Sequence, residues 1–349
     1  MPKLKGFLRG ILCLLVLMFV CGCPTVTIPY AEEDHGTFED EFAPHANIHG
    51  WWYITGYAND VADPSRLFSF QFTQFYVNDF PIVPDMYALQ LSLTDMTTGQ
   101  DLFQGRVSLS GPAVYANASE VVFAPNSRLT RTGDGLDLYG KLNDAEMNLH
   151  FGFGKGAVWH GDNGVLVMGL PDDPIQRTVY YSYTNMPTTG QVTFTDEAGE
   201  PQTLQVEGKA WFDRQWGPYR MTHPGSFWEW FSLRFFDNEE IMLFAFPQHG
   251  YQDGTYVLAD GSSQRLLDYT YTPTGYAEHD GNCYSFGWDL TMPGIKEGHY
   301  RIEPMLDDQH MYRWNYYELM ARILNDSDEL VGYAFIELLP ELREGMCEP

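Results

Sequence analysis

The chain has 349 residues, enough for one large or two ordinary domains. Aromatic side chains make up 15% of it, and 33 glycines with 21 prolines supply frequent turns, a mix that favours many short strands over a helical bundle. A formal net charge of −27 argues against nucleic acid and anionic lipid headgroups as partners.

The first segment reads as an export signal and not as part of the fold. "MPKLKGFLRG" carries Lys3, Lys5 and Arg9 and no acid, "ILCLLVLMFV" is a short apolar run, and "VCGC" follows. Val20-Cys21-Gly22-Cys23 has the form of a bacterial lipobox, which predicts a signal over 1–22 and lipidation of Cys23. The apolar run is short of the ~20 residues that a spanning helix needs. The expected attachment to the membrane is therefore through the lipid anchor alone. Pro24, not an aspartate, follows Cys23, which points to the outer membrane, facing the periplasm. Removing the signal leaves 17 basic against 47 acidic residues, a net charge of −30.

Residues 23–48 read as a tether and lead-in loop, with the acidic stretch "AEEDHGTFEDEF". Ordered structure is expected to start at "WWYITGY", residues 51–57. "RLFSFQFTQF" then alternates, with Phe68, Phe70 and Phe72 on one face. "YALQLSL" alternates Leu89, Leu91 and Leu93 with Gln90 and Ser92, and "NLHFGFG" puts Leu149, Phe151 and Phe153 on one side. This period of two marks half-buried antiparallel strands. "TGQD", "TGDG", "GDNG" and "DEAGEP" supply turns between them. Near the end, "YYELMARIL" and "NDSDELVGYAFIEL" read as a hairpin turning at "NDSD". "GWWYITGY" with "LFSFQFTQF", and "FWEWFSLRF" with "IMLFAF", form a faint internal repeat. It suggests two similar halves, each a barrel or a sandwich, meeting near Pro218 to Pro224.

Few residues carry metal or redox chemistry. Cys283 and Cys347 are the cysteines left after Cys23, and an oxidising compartment would let them pair. No CxxC or Cys/His zinc pattern occurs. His45 and His49 in "HANIH" have ligand spacing but no third ligand nearby. No phosphate-binding glycine loop, dinucleotide fingerprint or G-x-S-x-G elbow is present, so neither a cofactor nor a metal is expected.

"GKAWFDRQWG", residues 208–217, is the most informative stretch. Asp213 lies among Trp211, Phe212 and Trp216. On a strand, Trp211 and Asp213 point the same way. An acid in an apolar pocket keeps its proton because burial disfavours the charge, and aromatic faces stabilise a nearby cation. Asp213, beside Trp211 and Trp216, is thus a candidate acid. The competing reading makes Asp213 a structural acid at a barrel rim, paired with Arg214 or capping the turn before "GPY". Glu229 and Glu318 alternate so as to point outward, whereas Glu337 in "YAFIEL" shares the face of Phe335. Trp51, Trp52 and Tyr53 serve either as core or as ligand contacts, and His49 as a base or a solvated side chain.

Several motifs in this order resemble the carotenoid 1,2-hydratase / AttH-like family, over about His35 to Glu337. They are "DHG", "WWYITGY", "YYSYTNMPTTGQVTF", "VEGKAWFDRQWG", "WEWFSLRF", "EPMLDDQ", "YYELMARI" and "VGYAFIEL". The chain departs from the pattern at Gly50, where the family has an acid, and at Tyr316-Tyr317-Glu318-Leu319 and Glu229-Trp230-Phe231. Phe212 and Arg214 replace a histidine-rich version of the Asp213 segment. The resemblance implies an all-β fold of two tandem lipocalin-like antiparallel barrels, here 49–220 and 221–340, with a tail over 341–349. It also implies a catalytic role for the acid at Asp213. The expected partner is an apolar or amphipathic small molecule such as a lipid or isoprenoid, held in a barrel. Three roles follow: a binding lipoprotein, with Trp51, Trp52, Tyr53, Trp211, Trp216, Glu229, Glu318 and Glu337 as contacts; a hydratase or related lyase using Asp213; or a structural envelope lipoprotein.

Overall fold

A computed structural model describes residues 35–45, 48–77, 85–219, 228–279, 282–307, 310–311 and 316–339. The signal-like segment, Cys23 and Cys347 lie outside them. Cys283 is disulfide-bonded.

The described chain is built of strands, with two single-turn 3-10 helices at Asp40–Phe42 and Pro247–His249. No helix among the described residues is long and apolar enough to cross a membrane. Thirteen described strands between His49 and Gly217 form one antiparallel sheet, and ten between Trp228 and Leu339 form a second. The last strand of the first sheet, Pro201–Gly217, and the first of the second, Trp228–Phe235, flank the expected junction, of which 220–227 lie outside the described residues.

Each sheet curls around its own apolar interior. In the first, alternate residues of Leu67–Val77 and Met86–Asp95 point inward, so Phe68, Phe70, Phe72, Leu89, Leu91 and Leu93 are buried together. The curl brings sequence-distant strands face to face: Phe68 packs on Phe194 and Phe70 on Phe151. In the second sheet Phe231, Leu233, Trp288, Leu290 and Ile302 fill the interior. This is the all-β architecture expected from the alternation, in the two-barrel form that the family resemblance implied.

The internal repeat corresponds to a shared pattern of pairing. His49–Asp60 lies between Leu67–Val77 and Pro201–Gly217, and Trp228–Phe235 lies between Glu240–Phe246 and Leu330–Leu339. In each sheet the Trp-rich opening strand sits between the next strand and the last. The final hairpin forms as expected, Tyr316–Leu324 against Leu330–Leu339.

The outer faces of these central strands are not wet. They stack on each other and bury Trp51, Tyr53, Tyr180 and Trp211 from the first sheet against Trp228, Trp230, Phe244 and Phe335 from the second. Strands at this seam are therefore buried on both faces. Their alternation separates two dry compartments instead of separating core from solvent.

Candidate active site at the seam between the two sheets

Alternation along Pro201–Gly217 divides the key motif. Phe212, Arg214 and Trp216 enter the first barrel, while Trp211, Asp213 and Gln215 face the seam. This corrects the grouping of Trp216 with Asp213. It also removes Arg214 as the partner of Asp213. Arg214 is fully buried on the opposite face, over the rings of Trp52 (4.5 Å) and Trp216 (4.9 Å). It donates to the carbonyls of Glu41 (3.2 Å), Ala43 (2.7 Å) and Gln215 (3.0 Å) and so pins the lead-in loop to the sheet. Trp52 belongs to the same interior and donates to Phe42 O (2.9 Å), so it is core and not a contact at the seam. Gly50 stands opposite Trp216, and a Cβ there would lie 2.7 Å from the Trp216 Cβ and 2.4 Å from the Gln215 carbonyl, which leaves no room for an acid.

Asp213 lies under the second sheet, 4% exposed. Its Oδ1 accepts from Ser182 Oγ and from Trp211 Nε1, and the Tyr180 hydroxyl bonds the same carboxyl. Burial outweighs these hydrogen bonds and pushes the Asp213 pKa up to about 7. With Oδ1 taken by two donors, the proton of the neutral acid belongs on Oδ2. Trp230 from the second sheet donates to Tyr180 OH (3.0 Å) and meets Trp211 edge to face at 5.9 Å.

A hydrogen-bonded chain runs from this acid across the seam. His160 Nε2 is 2.7 Å from Ser182 Oγ, and its Nδ1 is 2.9 Å from Thr255 Oγ1 of the second sheet. With Ser182 donating to Asp213, its oxygen accepts from His160 Nε2, and Nδ1 then accepts from Thr255. Burial lowers the His160 pKa to about 3, so the ring is neutral.

Two further acids close the site. Glu318 and Glu337 face each other across the final hairpin. Tyr53 and Tyr316 donate to Glu318, the latter at 3.2 Å, and Trp228 Nε1 donates to Glu337. Burial and mutual repulsion raise the pKa of Glu318 well above the usual range, and burial raises that of Glu337. Glu337 in turn helps to raise Asp213. The outward orientation expected for Glu318 is thus wrong: it is 8% exposed, because the face that would meet water meets the first sheet. Glu229 is half-buried and turns into the second barrel, where Ser285 (3.2 Å) and Tyr271 bond it. It is neither outward nor part of the seam. Trp51 and Tyr53 do lie at the seam, Trp51 stacked over Trp228 at 6.5 Å and Tyr53 edge-on to Trp230 at 5.5 Å.

The histidines of "HANIH" go to different partners. His45 pairs with Glu41 (2.9 Å) and stacks on Trp216 (4.6 Å), and His49 packs edge-on against Tyr219 (4.7 Å). No cluster of three metal-ligating side chains occurs among the described residues.

Tyr180, Ser182, His160, Arg234 and Tyr316 are site residues that sequence reasoning missed. Arg234 lies in the seam, donates to Thr55 O (3.0 Å) and covers the Phe335 ring at 4.4 Å. Its pKa is lowered to about 10 by burial. Alternation alone would have placed Tyr180 and Ser182 on one face of "YYSY"; nothing local marks His160.

A recess adjoins Glu318. Thr55, Gln71, Ser92 and Phe103 stand in register across four neighbouring strands, with Ser69, Thr94 and Asp101 in the next row. With Phe70, Glu318, Leu319, Met320 and Phe335 they line a narrow recess, partly open to solvent, with room for about one small polar group.

Among solved structures the fold is similar to that of an AttH protein from Nitrosomonas europaea, with a TM-score of 0.78 and 19% identity over 90% of this chain and 100% of that one. It is also similar to kievitone hydratase from Nectria haematococca, with a TM-score of 0.69 and 19% identity over 89% of this chain and 94% of that one. No protein of curated function matches the sequence. The AttH-like family pattern matches residues 29–340, and the chain belongs to that family.

Proposed function

We propose that the chain is a hydratase acting on an alkene of an apolar or amphipathic substrate, with Asp213 as the acid and the seam as the site. The observation that carries this reading is a carboxyl, Asp213, buried in an aromatic layer and held by Trp211 and Ser182, where burial pushes its pKa up to about 7. Protonating an isolated alkene calls for an acid that still holds its proton near neutral pH and for a setting that tolerates a carbocation.

The Asp213 Oδ2 proton passes to one alkene carbon, and the π pair forms the new C–H bond. The cation left on the other carbon faces the rings of Trp211 and Trp230, each worth about 0.5–2 kcal/mol. Water adds to that carbon and gives its proton to the Asp213 carboxylate, which restores the acid. The net change is addition of one water. Glu337 helps to keep the proton on Asp213 between turnovers. Kievitone hydratase, named for hydration, has the same fold, which supports this reaction class.

The second reading is a binding protein that holds such a molecule without turnover; the aromatic seam favours it equally. Incubation of the protein with an unsaturated amphiphile in heavy-oxygen water separates the two. Hydration predicts a product carrying the heavy oxygen, lost in Asp213→Asn. A bound but unchanged amphiphile would leave only the binding reading.

We also place the chain on the cell envelope through a lipid on Cys23, probed by incorporation of labelled fatty acid and its loss in Cys23→Ser.

A further inference from the structure

We infer that the recess beside Glu318 binds the hydroxyl-bearing end of the ligand, so that the molecule is a neutral unsaturated alcohol and not a plain hydrocarbon. The inference deepens the hydratase reading, which concerns the other end of the same ligand.

The recess has an inner wall of buried residues and an outer wall, Ser92, Asp101 and Phe103, that is half-buried. Two polar groups on the inner wall are unmatched. Thr55 is fully buried and its Oγ1 has no hydrogen-bond partner. Gln71 is 2% exposed; its Nε2 donates to Thr73 (2.7 Å), but its Oε1 accepts nothing. They are direct cross-strand neighbours on one face. Buried polar atoms are nearly always satisfied, so a matched pair left open beside a cavity marks a place for a ligand's polar atom. A hydroxyl suits both, donating to Gln71 Oε1 and accepting from Thr55 Oγ1. An anion is disfavoured by Asp101 in the wall.

Asp213 does not line the recess, but the register of the strands places it one row away. Asp213 stands in register with Tyr53, and Tyr53 with Thr73, one row from Thr55 and Gln71. Two strand spacings and two residues along the strand separate Asp213 from Gln71, roughly 12 Å between Cα atoms. The side chains span part of that, which suits an alkene several bonds from the hydroxyl.

Geraniol and its deoxy hydrocarbon, which differ by one hydroxyl, are the probes. Their affinities for the soluble chain lacking the signal are measured by titration calorimetry, alongside the Tm. The wild type is expected to bind geraniol at least roughly ten-fold more tightly than the hydrocarbon. Thr55→Val, nearly isosteric, is expected to cut that preference without lowering the Tm, because the hydroxyl it removes is unmatched. Thr55→Val with Gln71→Leu should bring the ratio close to one. Equal affinities in the wild type, no binding of either probe, or an undiminished preference in both variants overturns the inference. If geraniol binds as expected but no alkene is ever hydrated, the hydratase reading falls and the recess stands. If the hydrocarbon is hydrated as well as the alcohol, the reverse holds.

Discussion

Replacing Asp213 with asparagine should leave the protein more stable at neutral and alkaline pH, and by an amount that depends on pH. Burial pushes the Asp213 pKa from 3.8 to about 7. Between those values the folded chain holds a proton that the unfolded chain has released. The stability tied to the neutral acid is thus complete below about pH 4 and is lost as the pH rises through about 7. At about 1.4 kcal/mol per pKa unit, three units correspond to about 4 kcal/mol. Asparagine has a similar shape, still accepts from Ser182 and Trp211, and never ionises. The stability of Asp213→Asn relative to wild type should therefore rise by about 1.4 kcal/mol for each pH unit between about pH 4 and 7, then level off. Urea denaturation of both proteins across that range measures it. Glu318 and Glu337 are present in both, so their own titration largely cancels in the difference. Parallel pH profiles would refute the claim that Asp213 is buried as a neutral acid, and the proposed chemistry would go with it.

Two other substitutions probe the seam. Lys155 lies 2.5 Å from Glu240, which is 1% exposed and also accepts from Thr184 (2.9 Å) and Asn185 (2.7 Å) of the first sheet. Lys155→Met strands that carboxylate and should cost about 3–5 kcal/mol in denaturant unfolding; an unchanged midpoint would show that the clamp adds nothing. His160→Leu removes the link between Ser182 and Thr255 and should lower the hydration kcat by about ten-fold or more. Because His160 titrates only near 3, the limb of the pH–rate profile near 7 should persist in this variant. Disappearance of that limb would move the working titration from Asp213 to His160.

The strands were legible because alternation is written in them. Phe68, Phe70 and Phe72 announce one buried face, and Tyr333, Phe335 and Glu337 announce the last strand. That Trp211 and Asp213 share a face was legible for the same reason. What alternation does not state is what covers each face. Glu318 was expected to meet water, since an antiparallel sheet commonly has one wet side; its covering comes from Tyr53, which lies 265 residues away. His160 was hidden more deeply. Its partners Ser182 and Thr255 are 22 and 95 residues distant, and "VWHGDNG" reads as a loop. Trp216 was misassigned for the opposite reason: aromatic identity drew it towards the acid, although its parity puts it in the barrel.

The strand carrying Trp211 to Trp216 works as two interleaved messages. Odd positions spell the seam, and even positions spell the barrel, where Arg214 ties down the lead-in loop. Each message can be edited letter by letter, since a substitution touches one compartment only. A single-residue insertion or deletion cannot be absorbed so simply. It would exchange the two readings, sending the acid into the barrel and the guanidinium into the seam. In lineages of this fold, the spacing between Trp211 and Trp216 should therefore drift less than the identities within it.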